Sequence, residues 1–206
     1  MKRLSILYSI LFFLAACSSD PPKREIVENH EPETTLQTDD TQYLYISDAA
    51  NVSVAKLTIG KNVLIETDGV GNIAGVLKNS KRKYYDQRDN ELGAISYNDG
   101  GLKMKRGDQL VYKLKWDYAD KIKLADNEEM NNAIEIKKKE DVLVVLKGGQ
   151  ELDRFRMMNE ASNIKLKDSL YITGFQRSFA QGLLLIHEMG LQEKLILMAE
   201  VKAAGK

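Results

Sequence analysis

Proline is scarce and one-sided: the 206-residue chain has three, at positions 21, 22 and 32, and none beyond. Cysteine is scarcer still, with Cys17 alone, and there are only two histidines and one tryptophan. Neither sign of charge is in excess, since 30 Lys and Arg offset 30 Asp and Glu. A single cysteine excludes an internal disulfide framework and a thiolate-rich metal site. His30 and His187 are far apart and show no ligand spacing, so no metal is expected. A balanced charge gives no overall attraction to nucleic acid. No phosphate-loop motif occurs. Asp68-Gly69-Val70-Gly71-Asn72 is glycine-rich but lies between two alternating segments, where a hairpin turn accounts for it. No Gly-x-Ser-x-Gly elbow is present. No catalytic residue and no cofactor is therefore assigned from sequence.

What is present begins at the N-terminus. Lys2 and Arg3 precede an apolar stretch from Leu4 to Leu14, which ends in Leu14-Ala15-Ala16-Cys17. A basic head, an apolar segment and small residues at a cleavage site form the layout of a secretory signal peptide. The apolar run is about ten residues, half of what spans a bilayer. The terminal tetrapeptide resembles the lipobox of bacterial lipoproteins. That resemblance implies that residues 1–16 are removed and that Cys17 carries acyl chains as the mature N-terminus. It also implies a protein held to the bacterial cell envelope, with Ser18 pointing to the outer membrane. Loss of Lys2 and Arg3 from the 30 basic residues leaves a mature net charge of −2.

Residues 17–42 hold all three prolines together with many Glu, Asp, Thr and Asn. Their few apolar residues keep no period, and such a composition does not offset the entropy of ordering. This segment reads as a flexible linker, and His30 as a solvated residue within it. About 25 residues of flexible chain reach roughly 25–30 Å.

Residues 43–206 read as a single domain. Short apolar alternations follow one another: Val52 to Ile59, Val63-Ile65, Ile73 to Leu77, Tyr84, Leu92 to Tyr97, Leu102-Met104 and Leu110-Tyr112-Leu114-Trp116. Ile122-Leu124, Ile134-Ile136, Val142 to Leu146, Leu152-Phe155, Ile164-Leu166 and Leu170-Ile172 continue the series. Period-two segments separated by Gly, Asp and Asn predict an antiparallel meander, closed as a barrel or folded as a sandwich. Absence of proline suits a chain whose backbone donors are used in ladders. A weak repeat runs through three stretches: Arg82–Tyr85 into Glu91-Leu92, Lys103–Lys105 into Gln109-Leu110, and Val144–Lys147 into Glu151-Leu152. Its irregular spacing fits a reused hairpin, not a solenoid.

From 178 to 204 the pattern turns helical. Ser178 can cap a helix carrying Phe179, Leu183 and Ile186, and Gly190 separates it from a second with Leu191, Leu195 and Met198. Leu184, Leu185, Ile196, Leu197 and Val201 widen both stripes, which predicts burial on more than one side. His187 falls here and reads as a core or interface histidine.

A long meander followed by an apolar C-terminal helix resembles the tubby C-terminal-like superfamily, which includes the LURP-one-related proteins. The likeness rests on the hairpin series from Val52 to Ile172, the helix near Phe179 and strand phrases such as Gln109-Leu110-Val111-Tyr112-Lys113-Leu114. It implies a mainly β fold, a closed barrel of about twelve strands with apolar C-terminal helices in or against it. It transfers no binding residue.

Acidic runs at Asp86 to Asn90 and at Asp126-Asn127-Glu128-Glu129 lack a calcium-loop pattern and read as solvated turns. Arg106-Gly107-Asp108 reads as a hairpin turn. Lysines recur opposite the apolar faces. Lys81, Arg82, Lys83, Lys113, Lys115, Lys137, Lys138 and Lys139 are candidates for a surface that meets anionic headgroups, against the plainer reading of a solvated outer face. Three functions stay open: a membrane-anchored binding or scaffold module, an envelope hydrolase with carboxylates that the sequence does not single out, and an anionic-lipid binder. Expected partners are the membrane, through Cys17, with anionic lipid or another envelope protein.

Overall fold

A computed structural model of the chain describes residues 41–48, 50, 52–69, 71–98, 100–117, 119–156, 171–173 and 178–206. The signal segment, Cys17, most of the linker and the segment at Ile164-Leu166 lie outside the described residues. Residues 38–206 belong to one compact unit.

The fold is mainly β. Its strands are β1 (Gln42–Ser47), β2 (Ser53–Ile59), β3 (Val63–Thr67), β4 (Ile73–Lys78), β5 (Lys81–Asp86), β6 (Glu91–Asn98), β7 (Gly101–Arg106), β8 (Gln109–Trp116), β9 (Lys121–Ala125), β10 (Ile134–Lys139), β11 (Val142–Lys147), β12 (Gln150–Arg156) and β13 (Tyr171–Thr173). β1 to β12 pair in sequence order as an antiparallel meander, and β13 joins the far side of β1. A 3-10 helix (Phe179–Leu185) and α1 (Leu191–Ala203) complete the chain. Alternation drives the strands: along β2, the inward Ala55, Leu57 and Ile59 are buried while their neighbours are not. Gly148 and Gly149, both at positive φ, make the two-residue turn between β11 and β12.

Two expectations need correction. The sheet is not closed into a barrel: its outer strands are β12 and β13, and no ladder joins them among the described residues. β12 reads as an edge, because Glu151, Asp153, Arg154 and Arg156 give it charge along its length. The first C-terminal helix is a 3-10 helix, although Ser178 caps it as expected, accepting from the Ala180 N–H. Its tight winding brings Gly182 against Ile136 of β10, where a Cβ would sit 2.6 Å from Ile136 Cγ2.

Helix α1 lies in the hollow of this sheet. Leu195, Ile196, Leu197, Met198, Ala199, Glu200 and Val201 are each 0 % exposed. Seven consecutive residues make nearly two turns, so no face of the helix reaches water. The sheet wraps it with Leu57, Ile65, Ile73, Tyr84, Ile95 and Leu114. Curvature comes partly from bulges, which fall in β1–β2, β5–β6, β7–β8 and β11–β12. Three of these are the hairpins of the sequence repeat. Each leaves one apolar residue of its second strand unopposed: Leu92, Val111 and Leu152.

A meander sorts its connections between two ends. β1 starts at one end, together with the turns after β2, β4, β6, β8 and β10. The turns after β1, β3, β5, β7, β9 and β11 gather at the other. Helix α1 runs from the second end, where Glu193 meets Arg106, to the first, where Glu200 meets Arg82.

Candidate functional site

At the end away from the start of β1, a cleft of about 450 Å³ opens between β8, β9, β10 and the turn that joins the two helices. Leu124, Ile134, Ile186 and Met189 make an apolar floor, Tyr112 stands on β8, and Asp126, Asn127, Asn131, Asn132, Lys147 and Glu188 supply the polar lining. The volume falls in the range of small-molecule sites, about 300–1,000 Å³.

The loop from 126 to 133 shapes one wall, and Asn127 organises it. Its amide nitrogen donates to Asp126 Oδ1 at 3.0 Å and to the Asn131 carbonyl at 2.9 Å, while its Oδ1 accepts from the Asn131 N–H at 2.8 Å. Met130 and Asn132 both take left-handed backbone, with φ of 61° and 53°. Outside the cleft, Glu128 is pinned to the sheet by Lys103 at 2.8 Å and Lys113 at 2.9 Å. Hydrogen bonds from Lys103 and Lys113 hold its carboxyl at about 2. The acidic run read as a solvated turn therefore has two fates: Glu128 fastens the loop, and Asp126 faces the cleft.

Charge in the cleft is mostly matched. Glu188 accepts from Lys147 Nζ with both oxygens at 2.8 Å. Burial, then Glu193, Asp126 and Glu188, raise the Tyr112 phenol above its ordinary value, so it stays protonated at neutral pH. It offers a ring face and a neutral hydroxyl. His187, expected in the core or at an interface, is not in the core: it is exposed in the turn beside the cleft, with Nε2 3.9 Å from Asp153. The reason is local: the turn between the two helices falls at 187–189, so only Ile186 and Met189 point inward.

No family model, curated protein or solved structure matches this chain.

A second polar cluster lies at the opposite end, inside the core. Glu200 is fully buried, and its Oε1 accepts from Arg82 Nη1 at 2.9 Å and from the Tyr84 hydroxyl. The Tyr97 hydroxyl donates to Oε2. Arg82 Nη2 also donates to the Lys61 carbonyl at 3.4 Å. Burial pushes the Glu200 carboxyl above its ordinary value, with the Arg82 guanidinium pulling it back down. The sheet makes room for this cluster with glycine. Gly75 and Gly93 flank Tyr84 on the neighbouring strands, and a Cβ on Gly75 would come 2.7 Å from the Tyr84 ring. The cluster is filled by its own members and ties α1 to β5 and β6.

Arg82, a candidate for the cationic surface, is thus a buried partner of Glu200 at 8 % exposure. The other candidates divide. Lys83 pairs with Glu91, Lys113 with Glu128 and Lys137 with Glu135. Lys81, Lys115, Lys138 and Lys139 are exposed and make no ion pair among the described residues. The outer lysine faces are therefore neutralised only in part, at Lys83, Lys113 and Lys137. Sequence reasoning missed the cleft and the Glu200 cluster. Their members come from strands and loops far apart in the chain, and no spacing marks them.

Proposed function

We propose that this chain is a non-catalytic binding or scaffold module of the bacterial envelope, tethered through lipid on Cys17, that takes a small ligand in the cleft over Tyr112. The observation that carries the reading is the cleft itself: an apolar floor with a few converging amides and carboxylates, at the mouth of a wrapped sheet. A neutral Tyr112 ring and the amides of Asn127, Asn131 and Asn132 suit a ligand with one apolar face and several hydrogen-bonding groups. The hydrolase alternative would rest on Asp126 and Glu188, the carboxylates lining the cleft. Lys147 engages both oxygens of Glu188, and Asn127 engages Asp126. Both carboxylates are thus held by neighbouring side chains, which favours the binding reading.

The lipoprotein reading is supported by Leu14-Ala15-Ala16-Cys17 and its basic and apolar lead. The tubby C-terminal-like resemblance is supported by strand order and by a C-terminal helix lying within the sheet; the lack of a ladder between β12 and β13 among the described residues departs from it.

Native mass spectrometry of protein extracted from host membranes tests the reading. The expected spectrum shows a chain beginning at an acylated Cys17 and a co-purifying small-molecule adduct. Asn131→Trp, an exposed change that fills the cleft, removes the adduct, as does Tyr112→Ala. A parent chain with no adduct, or adducts equal in parent and variants, contradicts the cleft as a binding site.

A further inference from the structure

The meander puts the cleft at one end of the molecule and the start of β1 at the other. The chain that leads to Cys17 therefore leaves from the end opposite the cleft. One corner of that far end is basic. Turns at the cleft end carry Asp48, Asp68, Asp89, Asp108, Asp126 and Glu129, against Arg88. At the other end, the turns after β2 and β4 carry Lys61, Lys78 and Lys81 and no acidic residue.

These three lysines lie close together. Lys78 and Lys81 are cross-strand partners on β4 and β5. The Lys61 carbonyl accepts from Arg82, the residue next to Lys81. All three are exposed, and none makes an ion pair among the described residues. Lys78 Nζ rests over the Tyr85 ring at 5.2 Å and donates to its hydroxyl at 3.3 Å, neutral partners that leave its net charge in place. Beside them stand apolar side chains in water: Leu77 is 51 % exposed, Tyr97 44 % and Tyr43 49 %. Leu77 precedes Lys78, Tyr97 lies on β6 next to β5, and Tyr43 is the second residue of β1. Acidic residues occur at this end at Asp99, between β6 and β7, and farther along the sheet at Asp117, Asp120, Glu140 and Asp141. Asp117 is already held by Lys121 and Lys123, and Asp141 by Arg156.

We infer that the Lys61–Lys78–Lys81 corner docks on anionic phospholipid headgroups of the membrane that holds the chain, so that the cleft faces away from that membrane. The inference rests on the lipid-anchored reading and adds an orientation to it. Lysine ammonium groups meet lipid phosphates, and tyrosine and leucine side chains occupy the headgroup boundary. The corner need not bind strongly. A tether of about 25 residues keeps the domain at high local concentration near the surface, so weak headgroup contacts suffice to set its orientation. Lys81 is shared with the lysine-bearing strand faces; the fold adds Lys61 and Lys78 beside it.

Flotation of the full chain carrying Cys17→Ser tests this. Vesicles of phosphatidylglycerol with phosphatidylcholine are compared with phosphatidylcholine alone, at low ionic strength. Residues 1–16 are common to every variant, so their contribution cancels. The Lys61→Glu, Lys78→Glu, Lys81→Glu triple variant is expected to lose binding to anionic vesicles by about tenfold or more. The corresponding triple glutamine variant loses less, in the same direction. Lys115→Glu, Lys138→Glu, Lys139→Glu, an equal charge change elsewhere, shifts binding by less than about twofold. Equal losses in the two glutamate triples, or no loss in the first, overturn the inference. An unmodified Cys17 thiol in host-derived protein would overturn the anchor instead. That result is separable, because the flotation assay uses a chain without lipid.

Discussion

Glu200→Leu is expected to cost about 3–5 kcal/mol of unfolding free energy, because it leaves the Arg82 guanidinium buried without its counter-charge. Arg82→Met costs a similar amount by stranding the carboxylate. Tyr84 and Tyr97 lose an acceptor in the first case and keep one in the second. The double variant, Arg82→Met with Glu200→Leu, is expected to recover most of the loss, since a buried ion pair repays only part of its own desolvation. Denaturant unfolding of the four proteins gives the cycle directly. Additive losses in the double variant would mean that the two side chains act independently and that the ion pair is not what joins α1 to β5. Arg82, Tyr84 and Tyr97 each donate to Glu200.

Lysine scanning along α1 is expected to give losses of comparable size at every position from Leu195 to Val201. A helix packed on one side tolerates charge at about half of its positions. Here Ala199→Lys and Met198→Lys, adjacent residues pointing in different directions, are both expected to lose about 3 kcal/mol or more, because neither has a route to water. Gln192 and Lys202 lie at the two ends of the helix and are only partly buried, so changes there cost little. One adjacent interior position tolerating lysine within about 0.5 kcal/mol would show that the helix has a solvated face and that the sheet does not surround it.

The strands were legible because their alternation is nearly pure. Ile134-Glu135-Ile136 and Tyr112 to Trp116 place apolar and polar residues on opposite faces, as a half-buried strand requires. β1 escaped that pattern for a physical reason. Tyr43 and Tyr45 project outward between the inward Leu44 and Ile46, so both faces look apolar and no alternation shows. The repeat at Glu91-Leu92, Gln109-Leu110 and Glu151-Leu152 carried more than it first displayed, since each copy marks a bulged hairpin. Closure of the sheet was not legible. Alternation says that a strand exists and which face is buried, but it does not say what pairs with its edge. Gly182 carried no signal in the sequence and is the contact point with Ile136.

The two polar clusters were illegible for different reasons. Glu200 is one carboxylate in the apolar run Leu195 to Val201, and its partner Arg82 is 118 residues away. Arg82 in turn sits between Lys81 and Lys83, so its inward direction is hidden by its neighbours' charge. A hint lay in the period: an inward position on β5 falls at 82 and 84, and Tyr84 is the buried aromatic of that strand. The cleft draws on β8, β9, β10, the turn after β11 and the turn between the helices, so only the three-dimensional meander assembles it. Its one local signal was asparagine: Asn127, Asn131 and Asn132 crowd a single loop, where amides can fold the backbone back on itself.

Native-state hydrogen exchange of the backbone amides in α1 probes the enclosure of that helix most directly. If the sheet surrounds it, the amides of Ile196 to Val201 exchange only when the whole domain unfolds, with opening free energies equal to the global value and falling together in denaturant. Exchange of these amides by a smaller, local opening, while the strands of β2 and β3 stay protected, would show that α1 leaves the sheet on its own.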